Sequence, residues 1–320
     1  MSHIIETLGL TKYYGDRTVV DKVDLKLNGG EIFGLFGPNG SGKTTIIRMI
    51  TGLTKPSTGR IIMRNNGKST DVLEEPLLTR KHCAILTETP SVYERMELFN
   101  YLKFYGKLSD LAEKSISKKV LEVVSIVGME DHLYRPLRQM SMGERQRVEI
   151  ARVLLKDSPV LFLDEPFNGI DITTRREIRD YLRNNWLNDK RCIFYTSHNL
   201  LESEHFVDRF AFIHRGRLLT TGDKKELRKK FKVKKFVIYL MDLFTAQQGL
   251  SFLVKSDQIE AGEVVNNLIY VTLKSTEEVD DVIRTLVKNN ISFHEIHPVD
   301  NIEDMFIELL NEIERKEGFS

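Results

Sequence analysis

The stretch EIFGLFGPNGSGKTT, Glu31 to Thr45, decides the reading of this chain. EIFGLF (31–36) reads as a short apolar strand. A Gly-rich turn follows at once, and then a helical pattern. Gly37 to Thr44 matches the phosphate-loop spacing G-x-x-x-x-G-K-[ST] in the strand–turn–helix context the motif requires. The glycines Gly37, Gly40 and Gly42 let backbone N–H groups point inward around a phosphate, and Pro38, Asn39 and Ser41 complete the ATP-binding loop. The helix that opens at Lys43 adds its positive end. Lys43 is expected to reach the β- and γ-phosphates, the Thr44 hydroxyl to ligate Mg²⁺, and Thr45 to complete the loop.

Downstream, PVLFLDE (159–165) and RCIFYTSH (191–198) read as two further buried strands. Asp164 ends the first, where a strand parallel to the phosphate-loop strand carries the second Mg²⁺ contact. Glu165 follows as the expected base for an attacking water. His198 ends the second strand and is expected to touch the γ-phosphate. Residues 3–10 and 18–27 alternate as antiparallel strands, 97–128 as helices, and 171–186 as an amphipathic helix. Residues 208–223 read as a hairpin turning at Arg215–Gly216. Strands alternating with helices predict an α/β fold with a largely parallel sheet.

The bulk composition narrows the function classes. The 320 residues suit one large and one small domain. Lysine and arginine total 47 against 46 acids, a net charge of +1, so the molecule as a whole is not built to grip nucleic acid. The two cysteines, Cys83 and Cys192, lie in separate apolar segments, which fits a reducing compartment. No apolar run approaches the roughly 20 residues that span a bilayer, and the start of the chain lacks signal-peptide character. A cytosolic chain is expected, with any membrane role coming through a partner.

Taken in order, GPNGSGKTT, SMGERQRVEIARVLL, VLFLDEPFNGID and TSH resemble the ATP-binding cassette (ABC) ATPases over residues 1–225. The resemblance implies a P-loop NTPase core with an antiparallel β subdomain and a helical subdomain at about 88–155. Tyr14, in KYYGD, matches the aromatic that stacks on adenine. Members of this family dimerise head to tail around two ATP molecules. By that resemblance Ser141, Met142, Gly143 and Glu144 form the signature that acts on the ATP of the partner chain. Asp171, in NGID, corresponds to a residue that communicates across the dimer.

Two departures from the family pattern stand out. Glu88, in ILTETPSVY, aligns with a glutamine that contacts Mg²⁺ and the attacking water. A carboxylate is also a good hard-cation ligand, so activity is expected to survive with altered metal or nucleotide dependence. The signature reads MSMGE rather than the common LSGGQ, with Met142 replacing the first glycine. Ser141 followed by Glu144 forms a capping box.

Around 224–235 the text becomes KKELRKKFKVKK, eight basic residues and one acid. It reads as a solvated linker or helix face, or as a segment lying against an anionic membrane surface. Beyond it, 226–320 reads as a small α/β domain. FVIYL, NLIYVTL and ISFHEIH are strands, VDDVIRTLVKNN a helix, and NIEDMFIELLNEIER a final amphipathic helix. The ending NIEDMFIEL is similar to that of bacterial drug, antibiotic and sodium exporters. The reading is an ATP-hydrolysing subunit that powers a separate membrane permease, paired with a second cassette chain and bound to the inner face of the cell membrane through the permease. A soluble ATPase of translation or DNA maintenance, and a non-hydrolysing nucleotide-binding subunit, are the alternatives.

Overall fold

A computed structural model describes residues 3–310 except 66, 231–234, 257, 275–278, 299–301, 304 and 308. It divides the chain into two compact units, Met1–Thr221 and Gly222–Ser320. In the first, a long strand β1 (His3–Tyr14) turns through Gly15 into β2 (Arg17–Val23). The expected strand over 18–27 is broken. It stops at Val23, and the short β3 (Lys26–Asn28) pairs with the other end of β1. The break has a visible cause. The buried Thr7 hydroxyl donates to Val23 O at 2.9 Å and accepts from Leu25 N at 2.8 Å, taking over the ladder at that point.

The chain then enters β4 (Ile32–Phe36) and, after the loop, helix α1 (Lys43–Ile50). Strands β5 (Thr58–Asn65) and β6 (Lys68–Asp71) complete the antiparallel sheet in the order β2-β1-β5-β6. Helix α2 (Pro76–Lys81) leads into β7 (Cys83–Leu86). Three helices follow, α3 (Leu98–Leu108), α4 (Glu113–Ile126) and α5 (Met142–Leu154). Strand β8 (Val160–Asp164), helix α6 (Ile172–Tyr181) and β9 (Cys192–Ser197) come next. The expected 171–186 helix does not stay regular; its last turn, Leu182–Trp186, widens into a π turn. After α7 (Leu200–Ser203), β10 (Arg209–His214) and β11 (Arg217–Asp223) form the hairpin. It turns where expected, with Arg215 and Gly216 both at positive φ (46° and 79°), the conformation of a tight two-residue turn.

Among the described residues the second sheet has six strands in the order β11-β10-β4-β9-β8-β7. The strands from β10 to β7 run parallel. Strands β4, β8 and β9 are buried at every position, as expected of strands covered on both faces. Phe194 at the centre stacks on Phe33 (5.7 Å between ring centres) and meets Phe162 (5.5 Å). Cys83 and Cys192 are free and buried; burial pushes the Cys83 thiol up to about 12. Because β4, β8 and β9 are parallel and adjacent, their C-terminal ends meet at one edge, where loops of α/β sheets carry function.

The second unit contains α8 (Lys224–Lys230), β12 (Lys235–Leu240), α9 (Leu243–Lys255), β13 (Ile259–Val265), β14 (Leu268–Leu273), α10 (Val279–Lys288) and β15 (Phe293–Pro298). Its antiparallel sheet runs β13-β14-β12-β15. Helix α9 packs on it through Ala246 and Leu253, and α10 through Val282 and Leu286. Helix α9 and strand β13 carry no expectation from sequence. The first part of the basic stretch is helix α8, and 231–234 lie outside the described residues. So does most of the final amphipathic helix; of it, Ile302, Met305 and Phe306 are described as buried.

Removing the central aromatic tests this packing. Phe194→Ala is expected to cost about 3–5 kcal/mol in the denaturant-induced unfolding of the first unit.

Candidate functional site

The phosphate loop follows from local backbone chemistry. Gly42 caps α1 at φ 109°, a conformation that residues with a Cβ rarely adopt, and no side chain caps the helix. A Cβ on Gly37 would lie 2.2 Å from Ile213 O. The loop is therefore pressed against β10. The side chain of Lys43 folds back over the loop, its Nζ donating to Gly37 O (2.7 Å) and Pro38 O (3.3 Å). Burial lowers the Lys43 ammonium from its ordinary value, while the carboxylates of Glu165, Asp164 and Glu88 act in the opposite sense. The buried Ser41 hydroxyl has no hydrogen-bond partner among the described residues. A polar atom left in that state calls for an outside one, since burying it unpaired costs about 1–3 kcal/mol.

Asp164 ends β8 and is 2% exposed. One carboxylate oxygen accepts from the Thr44 hydroxyl at 2.7 Å; the other accepts from the Thr196 hydroxyl at 2.6 Å. The ends of β8 and β9 and the first turn of α1 are thus joined through side chains. Glu165, the next residue, sits at φ 48°, a left-handed conformation costly for a residue with a Cβ. Its N–H donates to Thr196 O at 3.2 Å, which holds it there. Its Oε1 lies 3.0 Å from His198 Nδ1 and 3.9 Å from Lys43 Nζ. The expected base, the loop lysine and the strand-end histidine thus meet at one oxygen atom.

Asn39, Gly40, Gly42, Lys43, Thr44, Thr45, Glu88, Asp164 and Glu165 line one cleft of about 430 Å³. Glu88 follows β7 and faces the same space. Arg17 and Val19 of β2 also line it, and sequence reasoning passed over both. Tyr14 is half exposed at the end of β1, directly across the hairpin from Arg17, with Lys12 Nζ 5.0 Å from its ring centre.

The signature residues lie apart from that cleft, at the start of α5. The capping box is present in both directions. Ser141 Oγ accepts from Glu144 N (3.2 Å), and Glu144 Oε2 accepts from Ser141 N (2.6 Å). Burial pushes the Glu144 carboxyl up, but hydrogen bonds from Ser141, with electrostatic help from Arg135 and His132, outweigh it and leave the group below its ordinary value. Met142 is 62% exposed. Gly143 has a reason to be glycine inside its own chain: an added Cβ would lie 2.1 Å from Gly169 O. The fully buried Gln146 donates from Nε2 to Pro166 O at 3.0 Å. The start of α5 is therefore fastened to the segment that follows Glu165. Sequence reading missed both contacts, because each joins residues twenty or more positions apart. Asp171 caps α6, accepting from Thr174 N at 2.9 Å, and that hydrogen bond holds its carboxyl below the usual range. The adjacent Ile172 is 81% exposed.

Residues 88–106 form an aromatic cluster. Tyr93, half exposed, lies against Tyr101 (6.1 Å), Phe104 (5.9 Å) and Tyr105 (6.4 Å). The Tyr101 hydroxyl donates to Glu149, which also accepts from Arg152, and Arg152 donates to Ile85 O in β7.

A profile of the family described as ABC transporter matches residues 20–168. An uncharacterized ABC transporter ATP-binding protein, YhcH, of Bacillus subtilis is 32% identical over 316 residues, spanning 98% of this chain and 97% of its own. The chain belongs to the ABC transporter ATP-binding proteins. The bacitracin transport ATP-binding protein BcrA of Bacillus licheniformis is 31% identical over 311 residues, covering 97% of this chain and 98% of that one. A solved ATP-binding subunit of an ABC transporter superposes with a TM-score of 0.64 at 27% identity, over 71% of this chain and 93% of its own. The family consists of ATPases coupled to transport, and the resemblance read from the four motifs holds. No helix among the described residues is long and apolar enough to cross a membrane.

The Gly143–Gly169 contact can be tested without nucleotide. Gly143→Ala is expected to lower the unfolding free energy of the first unit by about 1–3 kcal/mol, as overpacking does. Unchanged stability would mean that the glycine is needed only for a ligand.

Proposed function

We propose that this chain binds MgATP in the cleft beside Lys43 and hydrolyses it with Glu165 as the base, driving a separate membrane permease. The observation that carries the reading is the meeting of His198 Nδ1 and Lys43 Nζ at Glu165 Oε1. Glu165 lies one residue beyond Asp164, itself hydrogen-bonded to Thr44 of the phosphate loop.

The protein groups fit a magnesium ion. Thr44, Asp164 and Glu88 offer hard oxygen donors at the cleft. Among the described residues no set of three metal-binding side chains forms a closed cage. That suits Mg²⁺, which is usually held by one or two carboxylates together with substrate phosphates. When bound it neutralises phosphate charge. The rest of the chemistry falls to the chain. Loop N–H groups and the uncapped start of α1 hold the β- and γ-phosphates, and Lys43 leaves Gly37 O and Pro38 O to meet them. Tyr14 stacks on adenine, with Arg17 across the hairpin beside the phosphates. A water attacks the γ-phosphorus as the bond to the β-bridging oxygen breaks. Its proton passes to Glu165, and ADP and phosphate leave. His198 fixes the Glu165 carboxylate and touches the γ-phosphate. Catalysis of this kind rests on positioning and charge.

Each site takes its second wall from another cassette chain. Ser141 and Gly143 approach the γ-phosphate held by the partner, and Asp171 communicates across the contact. Met142 and Ile172 are exposed on the first turns of α5 and α6, the two helix starts this contact would cover, so both are available to a partner chain. The hydroxyl of Ser141 accepts within its own cap, which leaves its proton free to donate outward.

The aromatic cluster around Tyr93 is the surface offered to the permease, which holds the chain at the inner face of the membrane. Export is the favoured direction. It rests on the NIEDMFIEL ending and on a relative named for bacitracin transport that matches through both units.

Glu165→Gln tests the base. Its kcat for ATP should fall by at least about 100-fold, in line with loss of a general base, while ATP affinity stays within a few-fold of wild type. Equal turnover in the two proteins would remove Glu165 from this role.

A further inference from the structure

Glu144 raises a difficulty for the signature. The common family pattern has a neutral glutamine at this position, one residue after Gly143. On the reading above, this helix start faces the γ-phosphate of the partner's ATP. A free carboxylate beside it would repel the phosphate.

The structure shows what becomes of that charge. One Glu144 oxygen is taken by the Ser141 N–H at 2.6 Å. The other accepts from Arg135 at 3.1 Å and lies 3.3 Å from His132 Nε2. Arg135 is itself fastened. Its second guanidinium nitrogen donates to Gln139 O, its N–H to His132 O (2.9 Å), and its carbonyl accepts from Leu98 N (3.2 Å). The Glu144 side chain is only 16% exposed as a result. Arg135, set in the segment from His132 to Gln139, thus brackets the acid that departs from the signature pattern. The next side chain, Arg145, turns away from it, donating to Met140 O and Arg138 O at 3.1 Å.

We infer that Arg135 is a positioning residue for the ATP-bound dimer. By pairing with Glu144 it draws that carboxylate back from the partner's γ-phosphate, so that an acidic signature works where glutamine is usual. The inference rests on the reading that the signature acts on a partner's ATP. It assigns to Arg135 a task that exists only because position 144 is acidic, and this separates it from a plain structural role.

The test is a double-mutant cycle in the full-length chain, read as ATP-driven self-association by sedimentation in a Glu165→Gln background. Arg135→Ala should weaken association by at least about tenfold, the scale of a like charge left at an interface. Glu144→Gln, which puts the residue of the common pattern at this position, sets the reference level for the cycle. The double variant, Arg135→Ala with Glu144→Gln, should return to within about twofold of Glu144→Gln alone, the mark of coupled residues. Thermal midpoints without ATP check that the variants are folded. A double variant as weak as Arg135→Ala would overturn the inference and leave Arg135 a loop anchor. So would an Arg135→Ala chain that associates normally. If Glu165→Gln with Arg135 and Glu144 intact fails to associate on adding ATP, the signature reading falls, and the inference with it.

Discussion

The site depends on one buried carboxylate held from two sides. Asp164 receives the Thr44 hydroxyl on one oxygen and the Thr196 hydroxyl on the other. Thr44 belongs to the helix after β4, Asp164 to the end of β8, and Thr196 to β9 between them. The parallel sheet brings these three segments together in register, with Asp164 opposite Thr196 and Ser197 opposite Phe36. From that anchor the rest is placed in order. Glu165 must leave the strand at a left-handed turn, and its N–H returns to Thr196. His198 then meets it from the next strand end.

The second constraint links this edge to the helical region. Gly143 lies against Gly169, and Gln146 donates to Pro166 O, so the signature helix rides on the segment that follows the base. The Arg152 bridge from Glu149 to Ile85 ties the same helix to the strand leading to Glu88. Cores transmit displacement because they are close-packed. The aromatic surface around Tyr93 is joined to that same helix through Tyr101 and Glu149, and so to the strand before Glu88 and the segment after Glu165.

Much of this was legible in the sequence, for reasons that differ by element. The phosphate loop, the VLFLDE strand and the FYTSH strand were readable because motif and strand pattern coincide within a few residues. The capping box at Ser141 was readable because its partners are three apart. The strand expected over 18–27 failed because a side chain, Thr7, replaces backbone pairing at Val23 and Leu25, which periodicity does not record. Helix α9 escaped because LFTAQQGLSFLVK carries a glycine and polar residues within a weak apolar stripe. Arg17, Thr196 and Arg135 escaped for a common reason. Each acts on a partner brought near only by the fold, and nothing local in the sequence marks it. Gly143 was singled out for its approach to a partner's phosphate, and its contact with Gly169 adds a cause inside one chain.

The central claim is that each ATP is worked on by the loop of one chain and the signature of another. Mixing two inactive chains tests it most directly. A Ser141→Arg chain keeps its phosphate loop and loses its signature, and a Lys43→Ala chain does the reverse. Measured alone, neither should turn over ATP. Mixed, they should recover ATPase activity that rises with the fraction of mixed dimers, because one composite site is then intact. No recovery on mixing, or full turnover by the Ser141→Arg chain alone, would contradict the account.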